Sequence, residues 1–409
     1  MIRRAWWPFL IAVLATLPGL IVRLSGIHLD PWNAALLAGG AIIGASFLLL
    51  WACDAAQADV SQAVALAVVA LVAVLPEYAV DMYFTWMAGQ YPAKDYAHYA
   101  IANMTGANRL LIGVGWAAIA GLYWFRRRTV VHLNKERRLE LGFLALATAY
   151  AFVIPLKGTL EWYDGLVFLG LYAWYIIMAT RHPFAEVETP GPAQILVRMT
   201  KGRRRATVAV LFLWAAGAIA ANAEPFCEGL IGTGDAFHIP KFLLVQWLAP
   251  IASEAPEFLL AIMFAWRGSA GLALGSLLSS KLNQWTLLVG MIPGVYALSS
   301  RSLAHPLPMD ALQLREILLT AAQSLMAVVL LASLRLSIRG AVLLFVLFSG
   351  QLVLPEAVRA WPWLGMGVNP DEIHTYFSIT YGVLALALIV RRPRNLGHLL
   401  QGIRGKVPQ

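Results

Sequence analysis

The sequence predicts an all-α membrane protein of about twelve transmembrane helices, built as two inverted five-helix repeats with one extra helix at each end. Three observations carry this. The chain of 409 residues is 60% hydrophobic and only 13% charged, with a mean hydropathy of +0.68, a balance that excludes a water-soluble domain. Apolar runs of spanning length, about 20 residues, recur from one end of the chain to the other. One pattern also occurs twice: 71–88 reads LVAVLPEYAVDMYFTWMA and 247–266 reads WLAPIASEAPEFLLAIMFAW. Each copy sets a Pro-Glu pair, Pro76-Glu77 or Pro256-Glu257, near the centre of an apolar run. A second apolar run bearing small and polar residues follows each, IANMTGANRLLIGVG and LALGSLLSSKLNQWTLLVG.

Taken in order, the spans are expected at roughly 6–23, 33–53, 61–88, 97–125, 139–156, 160–180, 206–228, 240–266, 270–298, 314–334, 340–358 and 373–390. Met1-Ile2-Arg3-Arg4 before the first run imitates a signal peptide. No convincing cleavage site follows and Arg23 closes the run, so a retained first helix is expected. Orientation comes from basic loops. With the N-terminus inside, inside loops hold Arg3 and Arg4, the 126–138 cluster, the 181–205 cluster, Arg267, Arg335, Arg339 and the C-terminal basic residues, 22 of the 31 Lys and Arg. Outside loops hold seven: Arg23, Lys94, Lys157, Lys241, Arg301, Arg315 and Arg359. Arg109 and Lys281 fall inside helices. Both termini are therefore expected in the cytoplasm, in a prokaryotic cell membrane, and the pI near 9.7 reads as topology, with no nucleic-acid partner.

This topology sends the Glu77 helix outward and the Glu257 helix inward, so the two motifs are inverted. The expected organisation is an extra helix at 1–32, a first repeat at 33–180 with its motif region at 71–116, and a basic linker at 181–205 marked by Pro183, Pro190 and Pro192. A second repeat at 206–358 with its motif region at 247–290 and a C-terminal helix and tail at 359–409 complete it. Cys53 and Cys227 have no metal spacing and read as buried thiols. Gly40 and Gly44, and Gly271 and Gly275, are spaced for close helix packing.

The duplicated segments resemble the α-repeats of the cation/Ca²⁺ exchanger superfamily, the sodium/calcium exchanger membrane region. That family's pattern is a Ser/Thr-rich turn ending in Pro-Glu, then a helix with Gly-Asn, two variable residues and Gly-Ser-Asn. Here the copies read Leu75-Pro76-Glu77 with Ala102-Asn103-Met104-Thr105-Gly106-Ala107-Asn108, and Ser253-Glu254-Ala255-Pro256-Glu257 with Gly275-Ser276-Leu277-Leu278-Ser279-Ser280-Lys281. The resemblance implies Glu77 and Glu257 as central metal ligands, with Asn103, Ser276 and Ser280 around them. The first copy lacks the Ser/Thr turn, Ala107 replaces Ser, Lys281 stands where the family has Asn, and Arg109 follows Asn108. These departures weigh against sodium coupling.

The residues support a cation site by their own chemistry. A carboxylate at membrane depth costs about 3 kcal/mol or more and marks an ion pathway, and Ca²⁺ takes carboxylate oxygens first. Each proline removes a backbone donor, freeing the carbonyls of Val72 and Ala252, as irregular backbone lining a cavity permits. Glu77 with Asp81 (i,i+4) and Glu254 with Glu257 (i,i+3) share helix faces. Four carboxylates against Arg109 and Lys281, the charge-compensating cations in or near the site, leave a formal −2. That matches one Ca²⁺, two protons or two monovalent cations. Buried acid–base pairs also hold helices without transport, a role open to Asp81 and Arg109.

Weaker features remain. Ser276, Ser279, Ser280 and Asn283 form a helical stripe, part ligand and part packing. Glu224, Glu228 and Asp235 read as a solvated helix end or a vestibule. Glu356 and Arg359 read as a surface pair. Trp6, Trp7, Trp361 and Trp363 fit interfacial belts. His98, His238, His305 and His374 receive no role. The expected function is secondary antiport by alternating access, two half-bundles moving around a midplane site, exchanging Ca²⁺ or a similar cation for H⁺ or Na⁺. A monovalent cation/proton antiporter and a non-transporting relative with a self-neutralised site are the alternatives. No Ser-Lys, Gly-x-Ser-x-Gly or His-Glu-x-x-His pattern points to an enzyme. No cofactor is expected beyond the transported cation, the partners are lipid and inorganic cations, and the oligomeric state is not legible.

Overall fold

The computed structural model describes residues 6–59, 74–181, 191–303, 305–365, 367–393, 397 and 399. Arg3, Arg4, the Val72 carbonyl, Pro183, Pro190, Arg394, Arg404 and Lys406 lie outside the described residues.

Helices α1 (Trp7–Ser25), α2 (Pro31–Ala56) and α3 (Leu75–Gln90) open the chain. Then α4 (Tyr96–Leu110) passes through a π-helical turn, Leu111–Trp116, into α5 (Ala117–Arg127). Strand β1 (Val131–His132), α6 (Arg137–Ala151), α7 (Val153–Lys157) and α8 (Trp162–Ala179) follow, and the linker holds the short α9 (Ala193–Val197). The second half has α10 (Lys201–Phe237), α11 (Lys241–Arg267) and α12 (Ala270–Asn283), which passes through a second π turn, Gln284–Leu288, into α13 (Val289–Ser300). It ends with α14 (Ala311–Leu331), β2 (Arg335–Leu336), α15 (Ile338–Ala360) and α16 (Ile373–Arg391). Taking α4–α5, α6–α7 and α12–α13 as one membrane helix each, the described residues hold twelve long helices. Nine are long and apolar enough to cross a membrane. The helices divided by π turns fall short of that length, and the start of the Glu77 span is not described.

Local chemistry sets the ends. Pro31 occupies the first turn of α2, where its missing N–H costs nothing. Asp310 caps α14 in a reciprocal box with Gln313. Gly26 and Gly158 close α1 and α7 at φ 67° and 80°, conformations that glycine adopts freely.

The chain divides into two compact units, residues 1–87 with 176–256 and residues 88–175 with 257–409. In the first, α2 lies along α10 and α1 packs on α2, burying Leu48, Leu49, Ala52, Ala215 and Ile219. A side chain on Gly44 would meet the Ala12 carbonyl at 2.7 Å, whereas one on Gly40 would meet nothing within 4 Å. Only half of that expected small-residue pair therefore packs. Gly39 takes the other half's place, against the Phe226 ring.

In the second unit, α14 packs on α4, α6 and α16, while α15 packs on α5 and the first π turn. Gly271 lies against the His132 carbonyl and Gly275 against the Arg137 guanidinium, so this pair packs at both positions. Trp116, Trp285, Phe143 and Phe168 fill the interior.

Neither unit is a sequence repeat. The first collects first and second helices of both copies, and the second collects third, fourth and fifth helices of both. The strands show how the copies run. β1, between the third and fourth helices of the first copy, pairs antiparallel with β2, between the fourth and fifth helices of the second, with Val131 opposite Leu336. The bridge between Leu160 and Leu307 joins the converse turns. Successive helices run back and forth, so these two turns of one copy lie at opposite ends of the unit. A third–fourth turn meeting a fourth–fifth turn at both ends requires the copies to run in opposite directions.

The loops that charge places together also share an end. Beside the strands, the Arg126 guanidinium donates to the Trp266 carbonyl and stacks 4.4 Å from that ring. At the other end Gln90 donates to the Ser299 carbonyl at 3.1 Å, and Arg359 pairs with Asp371 at 2.7 Å.

Candidate functional site

In the first unit, Glu77 lies in the first turn of α3. It is 1% exposed and Asp81 0%, so the i,i+4 pair is buried as a unit. Thr85 donates to the Asp81 carbonyl at 2.7 Å, which keeps its hydroxyl within its own helix. Glu254 is buried on α11. The neighbouring Ser253 hydroxyl donates back to the carbonyls of Ala249 and Pro250 at 3.2 and 3.3 Å. Helix α11 runs unbroken through Pro250 and Pro256, so the second motif is no helix break. The Ala252 carbonyl still lacks its i+4 donor, because Pro256 has no N–H.

In the second unit, Glu257 accepts a hydrogen bond from the Ser280 hydroxyl. Asn103 is fully buried on α4, and Ser276 is half-buried on α12. Asn108 and Lys281, equivalent positions in the two copies, meet: the ammonium donates to the Asn108 amide oxygen at 2.7 Å and to its backbone carbonyl at 3.3 Å. The same ammonium sits 4.5 Å from the centre of the Trp285 ring, a cation–π contact that desolvation strengthens. Both π turns begin three residues beyond this pair, and such turns recur at functional sites.

Arg109 has a buried partner that the sequence reading omitted. Its guanidinium pairs with Glu316 of α14, at 1% and 0% side-chain exposure, and its Nε donates to the Thr105 carbonyl at 3.3 Å. His374, at the start of α16, lies 2.8 Å from the other Glu316 oxygen. Gln323 donates to the Arg109 carbonyl at 3.2 Å. The formal count around the motif residues therefore needs one more carboxylate. Glu316 lies beside Arg315 near the start of α14, where an acid is indistinguishable by sequence from part of a charged helix end. Its signal was an acid followed by a long run without charge, up to Arg335.

The polar stripe on α12 splits. Ser280 serves Glu257, but Ser279 donates to Glu140 of α6 at 2.9 Å and accepts from Arg137 at 2.9 Å. Glu224, Glu228 and Asp235 all lie within α10, which runs on to Phe237 instead of ending near 228: Glu224 pairs with Arg23 at 2.7 Å, Asp235 with Lys241 at 2.7 Å, and Glu228 accepts from Tyr83 at 2.7 Å. Glu356 and Arg359 form the expected exposed pair.

A buried set of carboxylates, amides and hydroxyls on duplicated, inverted helices is what a cation carrier needs. The profile of the sodium/calcium exchanger protein family matches residues 32–181 and 207–355, five helices in each segment. The crystal structure of the H⁺/Ca²⁺ exchanger CAX is 42% identical, covers 98% of this chain and is covered over 98% of its own, with a TM-score of 0.91. A structure of the sodium-calcium exchanger NCX_Mj shares the fold, with a TM-score of 0.52 and 20% identity over 81% of this chain and 98% of that one. Comparison with curated proteins finds no match. This chain is a multi-pass membrane cation antiporter that belongs to the sodium/calcium exchanger family.

Proposed function

We propose that the protein exchanges Ca²⁺ for protons, with Glu77 and Glu257 as the metal ligands for which the two cations compete. The observation that carries the coupling ion is Lys281. Its ammonium already takes the amide and carbonyl oxygens of Asn108, which keeps them from a second cation. A fixed cation there leaves protons as the counter-ion, and protons need only a carboxylate. Ca²⁺ binds a deprotonated carboxylate and a proton neutralises it, so each expels the other. Asp81, Glu254, Asn103, Ser276 and Ser280 are the further cation-binding residues in this reading. Ser280 is placed to steer one Glu257 oxygen. The protein acts as a transporter and not as an enzyme, with no resident cofactor, and both termini face the cytoplasm.

The test is Ca²⁺ uptake into proteoliposomes under an imposed pH gradient, with and without Na⁺. Uptake should follow the pH gradient and ignore Na⁺. Uptake that requires a Na⁺ gradient and ignores pH overturns the proton coupling. Lys281→Asn should bring in a dependence on Na⁺ that the wild type lacks.

A further inference from the structure

The fourth helices of the two copies each carry a buried carboxylate to which the exchange reading gives no task. On α6, one oxygen of Glu140 accepts from Arg137 at 2.6 Å, from Ser279 at 2.9 Å and from the Tyr175 hydroxyl at 3.2 Å. Its second oxygen is buried with no hydrogen-bond partner among the described residues. On α14, Glu316 accepts from the Arg109 guanidinium on one oxygen, and the His374 ring lies 2.8 Å from the other.

The two arrangements follow one rule. Each carboxylate reaches from the fourth helix of one copy to the third helix of the other. Each lands on the sequence neighbour of a motif residue. Ser279 precedes Ser280, which donates to Glu257; Arg109 follows Asn108, which receives Lys281. Both contacts lie wholly within the second unit. The chemistry differs, hydroxyl in one and guanidinium in the other, and so does the register, since Ser279 precedes its motif residue and Arg109 follows its own; the helices joined are the same. A carboxylate gripping the adjacent residue fixes the rotation of the helix about its own axis, and so the direction of the motif side chain beside it. Charge-assisted bonds, stronger than neutral ones, suit that task.

We propose that Glu140 and Glu316 are positioning residues for cation exchange, a crossed pair of clamps that aim Ser280 and Asn108. This rests on the exchange reading above. Neither residue touches the transported ion. Each acts through a neighbour, Glu140 through the cation-binding Ser280 and Glu316 through the Asn108 amide that holds Lys281, as outer partners orient the ligands of a metal site.

The experiment compares purified, reconstituted wild type with E140Q and E316Q, measuring initial Ca²⁺ uptake against Ca²⁺ concentration under a fixed pH gradient. Half-saturating Ca²⁺ should rise about tenfold in each variant, the scale on which outer partners act, with a smaller change in maximal rate. Y175F and H374A remove one contact from each clamp while keeping the carboxylate, and should shift half-saturation the same way by less. These two decide the matter if a glutamine variant fails to fold. Unchanged half-saturation in folded E140Q and E316Q overturns the proposal, and so does a lower maximal rate with half-saturation intact, which a merely structural role would give. Glu77→Gln is measured alongside. Wild-type exchange by that variant sinks the exchange reading itself, whereas its loss with unshifted clamp variants sinks only the clamps.

Discussion

Single residues set the chemistry. Glu77 is buried and Glu257 takes a serine hydroxyl, so neutralising either should abolish exchange. Glu77→Gln and Glu257→Gln should each fall below about 1% of the wild-type rate, a loss of more than about 2.8 kcal/mol at about 1.4 kcal/mol per tenfold. Vesicle flux at the wild-type rate in both would refute the assignment. Raising proton concentration should weaken apparent Ca²⁺ affinity in the wild type, since protons and metal need the same oxygens. Outside the membrane spans, Asp59 offers a separate pH readout. The Arg204 hydrogen bond, chiefly, holds its carboxyl below the ordinary range, through a two-pronged contact at 2.7 Å. A depressed carboxylate contributes stability above its unfolded pKa and loses it as pH falls through the folded one. Thermal stability in detergent should therefore drop on acidification below the ordinary carboxylate range, and less steeply in Asp59→Asn.

Elements decide how those residues are presented. Gly44 of α2 lets the α1 backbone approach, and the same helix lies along α10. Gly44→Leu should push α1 away and destabilise the protein by about 1–3 kcal/mol, the cost of overpacking. Gly40→Leu, facing open space, should leave the melting temperature nearly unchanged. Equal shifts in the two variants would contradict the packing. The cap of α14 matters for another reason, because that helix carries Glu316. Asp310→Ala removes the reciprocal cap with Gln313 and should cost about 1 kcal/mol. Much of this level was open to sequence reading. The twelve spans and the Pro-Glu motifs follow from hydropathy and spacing. The unbroken course of α11 was not, because proline frees a carbonyl without obliging a long apolar helix to break.

At the scale of the whole molecule, the interleaving of the copies is the main result. Within the second unit, β1 pairs with β2 and Leu160 with Leu307, and this fixes sidedness. Single cysteines at His132 and Ser337, in a background lacking Cys53 and Cys227, should be labelled by an impermeant thiol reagent from one face. Cysteines at Gly158 and His305 should be labelled from the other. Labelling of all four from one face would refute the inversion.

By itself the sequence determined the class, the span count, the inverted duplication and the motif carboxylates. Each rests on composition, spacing or loop charge, which are local quantities. Only the tertiary structure decided which charges meet. Arg109 has its partner in Glu316, 207 positions along the chain, and Lys281 has its in Asn108, 173 positions away. Ser279 and Ser280 are adjacent in sequence yet turn to Glu140 and Glu257. Helix periodicity separates neighbouring side chains by about 100°, but what stands on each side is fixed by packing between distant segments.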